Sequence, residues 1–243
     1  GQLYDGVLNR VIGKAEKWFE DVRMSVRYRA EWEPKFIATI CPQCGAAMEG
    51  SPESLIMHCY NCHSCWAEKK GRFVPVPFSF VVSERKRSMY LPFWRIEAEV
   101  KGVNISTLAH FLKRTNQPVV INERHEEKDF EFWIPAFKIR PKVFLKIAKS
   151  ATLSQLKFPE GEKLLVKPIF PVTLPLKEAT QAMKCIIAEC SVNRKEMMPK
   201  LPSISFAINR TSLAFLPFEN TGHDLVQEHS PLSVAATIAQ QGK

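Results

Sequence analysis

Along the first 35 residues the apolar positions step by four and three. Tyr4, Leu8, Val11, Ala15, Trp18 and Val22 form a seam, Val7, Ile12 and Phe19 widen it, and Arg10, Lys14, Lys17, Glu20 and Asp21 lie off it. That rhythm predicts an amphipathic helix of about six turns, ending before Pro34. Such a helix packs on its own domain or on a part upstream of it, or, because Trp18 and Phe19 give the seam more apolar width than a lone surface helix uses, meets a protein partner or a second copy. Its seven basic and six acidic residues make it no polybasic membrane anchor.

Beyond residue 72 the rhythm changes. Trp94, Ile96, Ala98 and Val100 alternate with Arg95, Glu97, Glu99 and Lys101, which predicts a strand with one buried and one wet face. Phe73–Val82, Phe130–Ile139 and Ile204–Phe218 read as further strands, the last broken near Asn209-Arg210. Asn116–Lys128 reads as a loop. Two helices are predicted. One runs over Pro141–Ser150, with proline in its favoured first position. The other runs over Lys177–Ser191, with Ala179, Ala182, Met183, Ile186, Ile187 and Cys190 inward. Four apolar–Pro–apolar units centred on Pro92, Pro135, Pro175 and Pro217 recur at separations of 43, 40 and 42 residues, the spacing of an internal duplication. The fold class expected is α+β: an N-terminal helix over 1–35, a metal-binding segment over 36–72 and a β-rich domain with two or more helices over 73–243.

The chemistry concentrates between these parts. Cys41-Pro42-Gln43-Cys44-Gly45 and Cys59-Tyr60-Asn61-Cys62 are two CxxC pairs with 14 residues between them. Thiolates are soft ligands that suit tetrahedral zinc, and each CxxC forms a tight turn that presents two sulfurs while backbone amides point at them. Gly45 supplies the positive φ that the first turn needs. Gly50-Ser51-Pro52 supplies a turn, and Leu55-Ile56-Met57 a strand leading into Cys59. Cys65 complicates the set, because Cys62 and Cys65 also form a CxxC. The ligands expected are Cys41, Cys44, Cys59 and Cys62, with Cys65 the alternate and His63 a further neighbour.

The order of these features resembles the zinc-ribbon family over about residues 37–70: CPxCG, a short hairpin, a strand into CxxC, then a small residue and tryptophan. The resemblance implies a pair of rubredoxin-like knuckles holding structural zinc. His63 stands where the family's pattern has glycine. A four-thiolate site leaves no open position for a substrate or water, so the metal is expected to be structural and not catalytic.

Composition adds less. Seven cysteines, five of them within 25 residues, fit a reducing compartment and hence the cytoplasm better than a disulfide framework. The longest apolar run, Phe73–Val82, is too short and too broken by Pro75 and Pro77 to span a bilayer, and no signal-peptide pattern opens the sequence. The net charge is +9. Residues 69–114 hold ten basic and three acidic side chains, and residues 132–170 hold eight and two. Lys69, Lys70, Arg72, Arg85, Lys86 and Arg87 are therefore candidate contacts to a nucleic-acid backbone. GxGxxG, P-loop and GxSxG motifs are absent, and the remaining histidines are scattered. The function expected is a non-enzymatic zinc-ribbon binding or scaffold protein mediating protein–protein contacts. The alternative is a nucleic-acid-binding protein using the ribbon and its flanking basic segments.

Overall fold

The computed structural model describes residues 2–5, 10–14, 36–81, 83, 85, 88–127, 129–156, 164–227, 230 and 232–237. The chain divides into two compact units, Gly1–Ile37 and Ala38–Lys243.

The first unit corrects the expectation of an N-terminal helix. Strands β1 (Gln2–Asp5) and β2 (Arg10–Lys14) pair antiparallel, from Gln2 opposite Lys14 to Asp5 opposite Arg10. The four-and-three seam counted apolar positions and passed over Gly6 and Gly13, each of which disfavours a helix interior by roughly 1 kcal/mol. Asp5-Gly6 is also a hairpin dipeptide. Trp18, Phe19 and the other residues of the predicted helix over 15–35 lie outside the described residues.

The second unit is α+β, as expected. A six-stranded sheet runs in the order β11-β10-β9-β7-β8, with β6 (Phe78–Phe80) alongside β9. Its axis is the antiparallel pair β7 (Ser88–Lys101) and β9 (Ser205–Asn220), matched from Ser88–Glu219 to Lys101–Ser205. The break foreseen at Asn209-Arg210 is a β-bulge. Glu97 faces Arg210 and Ala98 faces Ile208, so Asn209 is the extra residue and the strand continues. Strand β8 (Glu131–Pro135) flanks β7; β10 (Asp224–Gln227) and β11 (Ser233–Ala235) extend the sheet beyond β9.

Alternation along β7 sorts its side chains. Tyr90, Trp94, Ile96, Ala98 and Val100 enter one core, and Leu91 and Phe93 enter a second core on the other face. Helices α1 (Leu108–Arg114) and α2 (Glu123–Glu127) follow β7. Both were missed by periodicity, because seven and five residues are too short to display a stripe. Helix α3 (Pro141–Ser154) sends Ala148 into the first core and Ile147 and Ala151 into the second. Helix α4 (Leu176–Cys190) buries Ala179, Met183, Ile186, Ile187 and Cys190, five of the six positions predicted to point inward. Helix α5 (Arg194–Met197) is a single turn. No helix among the described residues is long and apolar enough to cross a membrane.

The four repeated prolines occupy unlike places. Pro92, Pro135 and Pro217 lie in β7, β8 and β9, whereas Pro175 caps α4. Pro92 and Pro217 sit in central strands, where a missing N–H should break a ladder. Each falls where one neighbour gives way to another. On the outer side of β7, Tyr90 bonds to Pro168 and Phe170, and β8 pairing begins at Phe93. On the outer side of β9, β6 pairing ends at Phe215 and β10 pairing begins at Phe218. The missing donors therefore cost no ladder bond.

Candidate metal centre and the adjoining cleft

Strands β3 (Ile56–Cys59), β4 (Ser64–Lys69) and β5 (Arg72–Pro75) form a separate three-stranded antiparallel sheet. The predicted strand Phe73–Val82 is thus two strands. Its first part ends the small sheet, Val76 and Pro77 make the break, and its second part joins the large sheet as β6. The first knuckle precedes β3 and is enclosed by the bridge between Ile40 and Ala47. The second is the β3–β4 turn.

The fold brings Cys41, Cys44, Cys59 and Cys62 together. Their four sulfurs lie within 4.8 Å of one another, and among the described residues theirs is the only such cluster of potential ligands. The Cys41–Cys62 and Cys44–Cys59 sulfurs stand 3.6 and 3.5 Å apart. Tetrahedral zinc with Zn–S bonds of about 2.3 Å separates its sulfurs by about 3.8 Å. The cluster can hold a metal ion of this kind, and it fits a zinc-ribbon knuckle.

The surroundings favour thiolates at the first knuckle. Burial opposes ionisation of Cys41, but the amides of Gln43 and Cys44, with Ser64 and Cys62, outweigh it and bring the thiol down to about 6. The Asn61 side chain and the Ala46 amide lower Cys44. Burial pushes Cys62 up to about 12, and its sulfur neighbours add to the effect. Four sulfurs this close cannot all ionise alone; a dication would remove that conflict.

Ser64, noted in the sequence only as a small residue, has a definite role. Its Oγ accepts from Trp66 Nε1 at 2.7 Å and lies 3.0 Å from Cys62 Sγ. Accepting from Trp66 leaves the hydroxyl its own proton, which it can donate to a Cys62 thiolate. The i, i+2 spacing of Ser64 and Trp66 on a strand is the signal that could have revealed it.

Cys65 is not in the cluster. One residue along β4 from Ser64, it points to the opposite face, where it is 2% exposed in the main core with Ile56 and Phe215. Burial pushes its thiol up. His63 takes the glycine position of the second knuckle, with φ of 49° against 75° for Gly45. Its Nδ1 accepts from the Leu165 N–H at 3.2 Å. That bond fastens the knuckle to the segment between α3 and α4 and offsets the left-handed conformation. His63→Ala is therefore expected to lower stability by about 1 kcal/mol, and His63→Gly, which relieves the backbone, by less. Urea midpoints of the two variants check the order.

The remaining candidates do not converge. Lys69, Lys70 and Arg72 are exposed at the β4–β5 turn, where Lys70 and Gly71 have positive φ and Glu68 accepts from the Gly71 amide. Arg85 pairs with Glu219 on β9. Lys86 and Arg87 lie outside the described residues.

One face of the ribbon packs on β9 and on the segment that precedes α4. The His58 ring meets Phe215 edge-on at 5.6 Å, the Leu55 amide donates to Val172 O at 2.7 Å, and Lys167 pairs with Glu49 at 2.5 Å while lying over the Tyr60 ring. Beside this seam opens a cleft of about 620 Å³ that no motif announced. Ile56, Met57 and Phe73 of the ribbon form one side, and Trp94 and Leu176 the other, with Ser54, Glu68 and Thr211 as polar groups. Trp94 is fixed there by its Nε1 bond to Leu174 O at 2.9 Å.

Compared with protein-family models, with curated proteins and with solved structures, the chain matches none of them.

Proposed function

We propose that this chain is a non-enzymatic zinc-ribbon protein that binds a protein partner in the cleft between its ribbon and its sheet. The observation that carries the reading is the cleft itself. It is about 620 Å³ and largely apolar, room for a few apolar side chains of a partner segment, and one of its walls is the ribbon that the four cysteines organise. Zinc is the metal that four thiolates at this spacing suit best, and Cys41, Cys44, Cys59 and Cys62 would hold it. The bound ion would cross-link the two knuckles and so hold β3 and β5 in place as the cleft wall. Five of the seven cysteines fall within 25 residues at metal-ligand spacing, a usage that suits a reducing, cytoplasmic setting in which thiols remain available as ligands.

The exposed basic turn at Lys69, Lys70 and Arg72 supports the second reading, nucleic-acid binding through the ribbon. One experiment separates the two. A photo-reactive residue is placed at Phe73 in the cleft or at Lys70 on the turn, and cross-linking is done in cell extract at physiological salt. Protein adducts from the Phe73 position, lost when Ala67→Trp fills the cleft, are the expected result. Nucleic-acid adducts from Lys70 that fade with rising salt would replace this reading with the alternative.

A further inference from the structure

Among the described residues β8 is the last strand of the large sheet, and no described strand lies beside its outer edge. Such an edge presents a row of backbone donors and acceptors that invites another strand. Pairing with β7 fixes which residues face outward. The Ala136 amide bonds inward to Pro92 O, in register with Phe93–Pro135 and Trp94–Ile134. Residues 132 and 134 therefore point their backbone groups at β7, and Glu131, Trp133 and Pro135 point theirs away.

Each outward position has been dealt with separately. At Glu131, Gln155 Nε2 donates to the carbonyl at 2.6 Å and its Oε1 accepts from the amide at 3.3 Å. That is an amide bonded to both groups of one residue, as a neighbouring strand would be. At Trp133, Thr152 Oγ1 accepts from the amide at 3.1 Å and donates to the carbonyl at 3.3 Å. At Pro135 there is no N–H to satisfy.

Both side chains come from one end of α3, three residues apart and thus on one helix face. They are almost wholly buried polar groups, with Thr152 at 0% and Gln155 at 3% exposure. Gln155 is the C-cap residue, with φ of 42°, and its Nε2 also bonds to Thr152 O at 2.7 Å. A left-handed, non-glycine cap whose side chain is committed to a strand is a costly arrangement for packing alone.

We infer that Thr152 and Gln155 act as a surrogate strand that closes the β8 edge against strand addition by a second copy of this chain. The two side chains cover both outward donors, at Glu131 and Trp133, and Pro135 presents none. What they exclude is backbone pairing, and the same edge of another copy offers the matching, self-complementary row. The inference is independent of the metal and of the cleft.

The test uses the full chain. In Thr152→Val and Gln155→Leu, shape is kept and the hydrogen-bonding groups are lost. Amide hydrogen exchange is read at Glu131 and Trp133, and sedimentation velocity across a hundredfold concentration range reads association. Each single variant is expected to accelerate exchange at its own amide at least tenfold and to leave the other amide protected. The double variant is expected to associate with rising concentration where the native chain does not change, and adding Pro135→Ala, which restores the third donor, strengthens that association. Unchanged exchange in the single variants, or a folded double variant that sediments as the native chain does at every concentration, overturns the inference. Should the double variant fail to fold, the single variants decide the matter, with Thr152→Ser as the control that keeps its hydroxyl and its protection.

Discussion

Cys41→Ser is expected to purify without stoichiometric metal, and Cys65→Ser to keep it, as read by elemental analysis. In the sequence Cys65 also belongs to a CxxC pair, with Cys62, and so stands as the alternate ligand. Cys41 brings its sulfur to within 3.6 Å of Cys62 and receives amides from Gln43 and Cys44, so it belongs to the cluster. Serine cannot replace it, because a hydroxyl does not ionise at neutral pH. Structural zinc in small modules contributes on the order of 10 kcal/mol of apparent binding free energy. The metal-poor variant should therefore lose its ribbon as well as its ion, and β3–β5 amides should exchange freely. Cys65→Ser instead places a hydroxyl in an apolar core at a cost of about 1–3 kcal/mol, and the cluster on the opposite face of β4 is untouched. Retention of metal by Cys41→Ser, or its loss from Cys65→Ser, would overturn the ligand assignment.

The second large effect lies in the seam. Phe215→Ala is expected to lower stability by about 3–5 kcal/mol. Phe215 is fully buried in β9 and meets His58 of the ribbon and Phe78 and Phe80 of β6, at centroid distances of 5.6, 6.0 and 5.8 Å. Truncation removes the ring on which the ribbon and β6 both rest. Metal content should nevertheless stay native, because the cluster has a small core of its own with Met48 and Trp66. Denaturation read by tryptophan fluorescence, together with zinc analysis, checks both halves. A loss below about 1 kcal/mol, smaller than large-to-small core changes give, or a parallel loss of zinc, would show that the seam does not carry this load.

These two residues mark how far the sequence could be read. The cysteine cluster was legible because knuckle chemistry is local. Ligand spacing, a glycine at positive φ and amides that point at sulfur are all set within a few residues. Helices α3 and α4 were legible because each runs four turns with a continuous apolar stripe and a proline at or just before its first turn. The buried face of β7 from Trp94 to Val100 was legible because alternation is a property of one strand, whereas the burial of Leu91 and Phe93 on the other face was not. Glycines misled where apolar spacing alone was followed, and the N-terminal hairpin is the result.

What the sequence determined by itself is therefore short-range: which residues can make a four-sulfur knuckle pair, and which segments must be helix or strand to hide their apolar side chains. Only the tertiary structure decided the rest. Cys65 is outside the cluster because the register of β4 against β3 turns it toward Phe215. Pro92 and Pro217 are tolerated because neighbouring strands change over beside them. Thr152 and Gln155 matter because α3 lies along an edge more than fifteen residues earlier in the chain. Each of these depends on contacts between segments far apart in sequence, and neither the spacing nor the hydrophobicity of a single segment encodes its neighbour.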